Sequence, residues 1–118
     1  MRTVLAHAEA EREFDRLVVL DRDTRFDLGE HYRRLEWLRE APPVQMPRAV
    51  HVTDGIALYQ LYGARVQMFD ARTARAVVLL LLVKIGSEHA QREARERTIG
   101  RLENHDDDGR ENRGHESE

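Results

Sequence analysis

The sequence predicts an α+β domain: an N-terminal strand and a helical hairpin packed on an antiparallel sheet of three to four strands, then a C-terminal helix. Three observations lead there. Up to residue 40, apolar residues recur at helical spacing; between residues 49 and 84 they gather in short β-branched and aromatic runs; after Ser87 a helical pattern returns. Helices and strands are thus segregated along the chain, as an α+β arrangement requires. With 118 residues, 41% of them hydrophobic, there is enough chain for one core and not for two.

The elements follow in order. RTVLAH (residues 2–7) reads as a short first strand. Ala10, Phe14, Leu17 and Val18 then recur at helical spacing, with Glu9, Glu11 and Glu13 near the positive end of the helix dipole. The run Asp21 to Thr24 breaks the pattern and offers Asp23 or Thr24 as the cap of a second helix. In that helix Leu28, Tyr32, Leu35 and Leu38 form a stripe, Gly29 weakens the start, and Pro42-Pro43 ends it. Next come AVHV, IALYQLY, ARVQMF and ARAVVLLLLV, divided by Thr-Asp-Gly, Gly63 and Asp-Ala-Arg-Thr, which read as an antiparallel meander.

The last of these runs is apolar at eight consecutive positions, 76–83, so it should be a central strand buried on both faces. Strict alternation sends Leu80 and Leu81 to opposite faces. It also places Arg65 with Gln67 and Phe69, across from Val66 and Met68, and puts Tyr59 and Tyr62 on opposite faces. Ser87 is expected to cap a final helix through about Leu102, with a thin apolar side of Ala90, Ala94, Ile99 and Leu102 and a Glu93–Arg97 pair. Residues 104–118 contain no aliphatic or aromatic side chain and read as a disordered acidic tail, so the folded domain is taken as 1–103.

Composition narrows the function. The absence of cysteine excludes a disulfide framework and any cysteine-ligated zinc, and fits a cytoplasmic protein. The histidines have no metal spacing, and there is no phosphate-binding glycine loop, nucleophile elbow or paired-carboxylate site, so no metal and no cofactor is expected. The first residues lack the apolar core of a signal peptide, and the 76–83 run is too short to span a bilayer, so a soluble chain is expected. The net charge of −3 conceals an uneven distribution. Six of the 22 acidic residues and two of the 19 basic ones fall after residue 103, which leaves residues 1–103 at +1. Between Arg48 and Lys84 lie five basic residues and only two acids, Asp54 and Asp70. Lys84 is the single lysine among eighteen arginines. A mildly basic centre is compatible with a polyanionic partner.

Three stretches carry a resemblance. DGIALYQLYG looks like a "DGLYELR" strand, ARVQMFDARTARAVVLLLLVK looks like a "YRVLFxFDxxRRxVLLLxGFxK" strand pair, and GSEHAQREARERTIGRL looks like a polar turn leading into a terminal helix. Over roughly residues 9–103 the chain resembles the RelE/HigB-type toxins of toxin–antitoxin systems, including phage-borne relatives. That resemblance implies a RelE-like fold and a metal-independent endoribonuclease acting on mRNA, in the best-known members on the ribosome, with a cognate antitoxin as protein partner. Such chemistry needs a base for the ribose 2′-hydroxyl, cations for the phosphorane and an acid for the departing 5′-oxygen. Carried onto this chain, the resemblance assigns Arg65, Lys84 and His89 to catalysis, and Arg48, Tyr62, Arg72 and Arg75 to RNA binding. It also makes the thin face of the last helix a place for an antitoxin segment to dock.

The chain departs from the pattern in three places. Tyr62 stands where the family has the arginine of "YELR", IALYQLY holds no basic residue, and Ile85-Gly86 replaces a second basic residue after Lys84. The departures favour an alternative from another class: a catalytically inactive relative of the same fold that binds and inhibits a host protein, as gyrase-directed or phage-encoded modulators do. Each assigned residue also has a plain structural reading. Arg65 serves as an ordinary strand arginine, Lys84 ends a buried strand with its stem over apolar surface, and His89 is a first-turn helix residue.

Overall fold

The computed structural model describes residues 2–40 and 49–103, and carries the backbone of the last helix on to Glu116. The order is β1 (Thr3–Ala6), α1 (Ala8–Val18), α2 (Arg22–Glu40), β2 (His51–Thr53), β3 (Ile56–Tyr62), β4 (Val66–Arg72), β5 (Ala76–Lys84) and α3 (Glu88–Glu116). The α+β class is as expected. The sheet differs from expectation: it has five strands and is mixed, in the order β1-β5-β4-β3-β2. The N-terminal strand is not outside the sheet but joins it, running parallel to β5 from Thr3↔Ala76 to Ala6↔Leu79. A parallel neighbour needs a long crossover, and here the whole hairpin, with β2 to β4, supplies it. The α3 backbone runs on to Glu116, past the expected end near Leu102, while the side chains of residues 104–118 and the expected RNA contact at Arg48 lie outside the described residues.

Local chemistry sets the turns and caps. His7 caps α1, its Nδ1 accepting the Glu9 amide at 3.1 Å. Asp21, rather than Asp23 or Thr24, caps α2: its carboxylate takes the Thr24 amide at 2.7 Å, because α2 begins at Arg22, ahead of both expected caps. Asp54 and Gly55 both have positive φ (48° and 76°), the two-residue hairpin turn that matches strand twist, and they join β2 to β3. Ser87 caps α3 as expected, with Oγ accepting the Ala90 amide at 3.2 Å.

Two apolar layers enclose the sheet. On one face Ala10 and Leu17 of α1 and Leu28, Leu35 and Leu38 of α2 meet Val66, Met68, Val77, Leu79 and Leu82. On the other, Ala94 and Leu102 of α3 meet Leu58, Phe69, Ala71, Leu80 and Leu81. Leu80 and Leu81 therefore share a face, against the expectation from alternation. The register jumps from Phe69↔Leu81 to Asp70↔Leu79, so Leu80 is the extra residue of a bulge and the parity of β5 flips there. The apolar side of α3 also differs. Ala90 is exposed, whereas Thr98 is fully buried, its hydroxyl donating to the Ala94 carbonyl at 2.7 Å.

Because β1 covers only Ala76–Leu79, the remaining outer edge of β5 needs other partners. A buried ion pair provides them. Arg101 of α3 donates to both carboxylate oxygens of Glu13 of α1 (2.9 and 2.8 Å) and to the Leu80 carbonyl (2.9 Å), while Glu13 accepts the Leu82 amide (3.1 Å). Two side chains from the two faces thus satisfy the edge that the short first strand leaves open. Every polar atom of the pair that is named here has a partner, which is the condition for a buried pair to be tolerated.

Candidate functional site

The antiparallel pairing folds the residues of interest onto two ends of the sheet. At one end, β3 finishes at Tyr62, β4 starts at Val66, β5 finishes at Lys84 and α3 begins. Val66 pairs with Lys84, and the Ile85 amide donates to the Arg65 carbonyl at 3.0 Å, so Arg65 and Lys84 are neighbours across the ladder. Arg72 and Arg75 fall at the other end, roughly 20 Å away along a seven-residue strand. Of the residues assigned to RNA binding, Tyr62 lies at the first end and Arg72 and Arg75 at the other.

The first end is held by α2. The Asp27 carboxylate accepts the amides of Ala64 (3.1 Å), Arg65 (3.1 Å) and Val66 (2.7 Å) in the β3–β4 turn. His31, one helical turn on, donates from Nε2 to the Val66 carbonyl at 2.8 Å. Gly63 permits this, because a Cβ there would overlap the Asp27 carboxylate. Burial pushes the Asp27 carboxyl up, but the hydrogen bonds from Val66, Arg65 and Ala64, with His31 beside them, hold it below the usual aspartate range. Sequence inspection missed this clamp. A helix-borne Asp-x-x-x-His leaves a local signal, but its partner is a turn 37 residues on, which no periodicity reports.

Of the assigned catalytic groups, Arg65 is held by this clamp and Lys84 pairs with Val66 beside it. Arg65 lies in the turn, not in β4, because strand pairing on β3 ends before it. Its side chain is exposed and reaches Asp23 Oδ2 at 3.3 Å. Lys84 is exposed at the end of β5. His89 lies in the first turn of α3, 73% exposed, with Nε2 3.0 Å from Glu93. That contact replaces the expected Glu93–Arg97 pair, since Glu93 serves His89 from the preceding turn. Tyr62 donates its hydroxyl to Gln91 Oε1 (3.1 Å), and Gln91 Nε2 donates to the Gly86 carbonyl (3.0 Å), which ties α3 to the end of β3. Asp21 is near enough to feel Lys84 and Arg65. Its carboxyl is held down first by the Thr24 amide, against slight desolvation, and then by those two cations.

The opposite end is closed. Asp70 is fully buried and Arg72 is 14% exposed, with Nε donating to Oδ2 at 2.7 Å and Nη2 to Oδ1 at 3.4 Å. The Arg72 guanidinium lies 3.9 Å from the centre of the Tyr59 ring. Burial pushes the Asp70 carboxyl up, while Arg72, Arg34 and His31 oppose it. Arg72 is therefore committed to the fold. Arg75 is exposed in the β4–β5 turn, where Thr73 Oγ1 accepts its amide at 3.1 Å.

Among the described residues no group of histidines and acids is arranged to hold a metal ion, and no helix is long and apolar enough to cross a membrane. In comparisons with known proteins, the chain matches no family model, no curated protein and no solved structure.

Proposed function

We propose that this protein is a RelE/HigB-type toxin that acts on mRNA as a metal-independent endoribonuclease, through the end of the sheet where Arg65, Lys84 and the first turn of α3 meet. One observation carries the reading: the Val66↔Lys84 register sets Lys84 beside Arg65, although they are distant in sequence. Two cations on adjacent strand ends suit a phosphate whose charge grows in the transition state. The α+β class of the fold is compatible with the one the resemblance implies. A cognate antitoxin is the protein partner that goes with it, and the cytoplasm the compartment.

A second reading is favoured by a specific observation. Arg65 and His89 each already contact an acid, Asp23 and Glu93, as expected of a surface that binds a host protein without chemistry. Primer-extension mapping of cellular RNA after induction separates the two. New 5′ ends in the wild type, lost in Lys84→Ala with the melting temperature unchanged, support the nuclease; the drop in cleavage is expected to be on the order of 10²–10³-fold. Growth arrest with intact RNA supports the binding protein. His89→Gln is expected to alter the pH dependence of cleavage only if the imidazole moves a proton.

A further inference from the structure

Beyond Leu79, the outer edge of β5 opens into a groove of about 320 Å³ between α1 and α3. Arg16 of α1, Lys84 of β5 and Arg97 of α3 line it, together with Leu17, Leu82, Val83 and Glu13. Glu13 adds no free negative charge, because both of its oxygens are engaged by Arg101. Among the described residues, none of the three cations is ion-paired. Asp21, the acid that feels Lys84, accepts the Thr24 amide and forms no ion pair with the lysine. Three unpaired cations from three separate elements repel one another, and an anion laid between them removes that repulsion.

We propose that this groove holds the phosphodiester backbone of single-stranded RNA, with Arg16 and Arg97 as positioning residues on either side of Lys84. The inference rests on the reading of the protein as one that acts on RNA, and adds two residues that the sequence did not single out. An acidic peptide adding as a strand is the competing occupant, and the edge itself disfavours it. The Leu80 carbonyl and the Leu82 amide, which such a strand would pair with, are already taken by Arg101 and Glu13. A phosphodiester chain needs the cations and no ladder.

The test is fluorescence anisotropy of the full chain with a labelled, uncleavable 2′-O-methyl RNA oligonucleotide across a salt series. For single strands the logarithm of affinity falls with the logarithm of salt by about 0.7 per phosphate neutralised. Arg16→Ala and Arg97→Ala should each flatten the slope by about that amount and the double variant by roughly twice as much. Arg33→Ala, whose parent is exposed and paired with Glu30 on α2, should leave it unchanged. Both groove arginines are exposed, so melting curves should not move. Slopes that stay at the wild-type value overturn the groove, even where the wild type cleaves RNA and the nuclease reading stands. Groove-dependent RNA binding without cellular cleavage supports the groove and removes the nuclease reading. A wild type that neither binds nor cleaves RNA removes both, and a poly-glutamate peptide that displaces the RNA through these same arginines at equal concentration overturns the RNA assignment.

Discussion

Arg65 and Arg72 bracket the same strand and are used in opposite ways. Arg72 is 14% exposed, doubly bonded to a buried aspartate and stacked on Tyr59; Arg65 is 57% exposed and makes one long contact to an exposed aspartate. The same pair of residue types is part of the core at one end of the sheet and of the surface at the other. A buried charge is held by partners that it cannot lose without large cost, whereas an exposed one is screened and can exchange its partner for a ligand. Basic residues near the middle of a sequence therefore say little about a binding surface until their burial is known.

The contrast can be broken most directly at the closed end. Asp70→Ala leaves Arg72 buried without its carboxylate and is expected to cost about 3–5 kcal/mol in urea unfolding. A loss below about 1 kcal/mol, the range of surface pairs, would make the two ends equivalent. Next come the leucines of β5. Leu80→Ala and Leu81→Ala should each cost about 2–5 kcal/mol, and because both lie in the α3 layer their effects should couple in a double mutant. Clean additivity, with one of them coupling to Leu28 instead, would place the pair on opposite faces.

Gly63→Ala should loosen the open end by displacing the Asp27 carboxylate from three amides, a loss on the order of 1–3 kcal/mol in the same assay. The clamp also has a pH signature. Asp27 is depressed below its ordinary value of 3.8, so its contribution is fully present above that pH and is lost as pH falls through the lower folded value. Acid unfolding curves of Asp27→Asn should lack that segment; an unchanged acid limb would mean that the carboxylate is not held by the turn. The smallest effect belongs to Arg65→Ala, about 0–1 kcal/mol, since its partner Asp23 is 71% exposed. A larger loss would show that Arg65 supports the fold.

What the sequence by itself determined were the elements, because their signals are local. Periodicity in residues 10–18 and 28–38, the Asp54-Gly55 turn, the Ser87 cap and the apolar run of β5 each act within a few residues of themselves. Alternation likewise separated Val66 and Met68 from Phe69. It failed at Leu80 because a bulge depends on how two strands align, which neither strand encodes alone. For the same reason only tertiary structure joined β1 to β5, left the far edge of β5 to Glu13 and Arg101, and gathered Arg16, Lys84 and Arg97 around one groove. Those contacts link positions up to 88 residues apart, and a carboxylate or guanidinium carries no local mark of the backbone group it will meet.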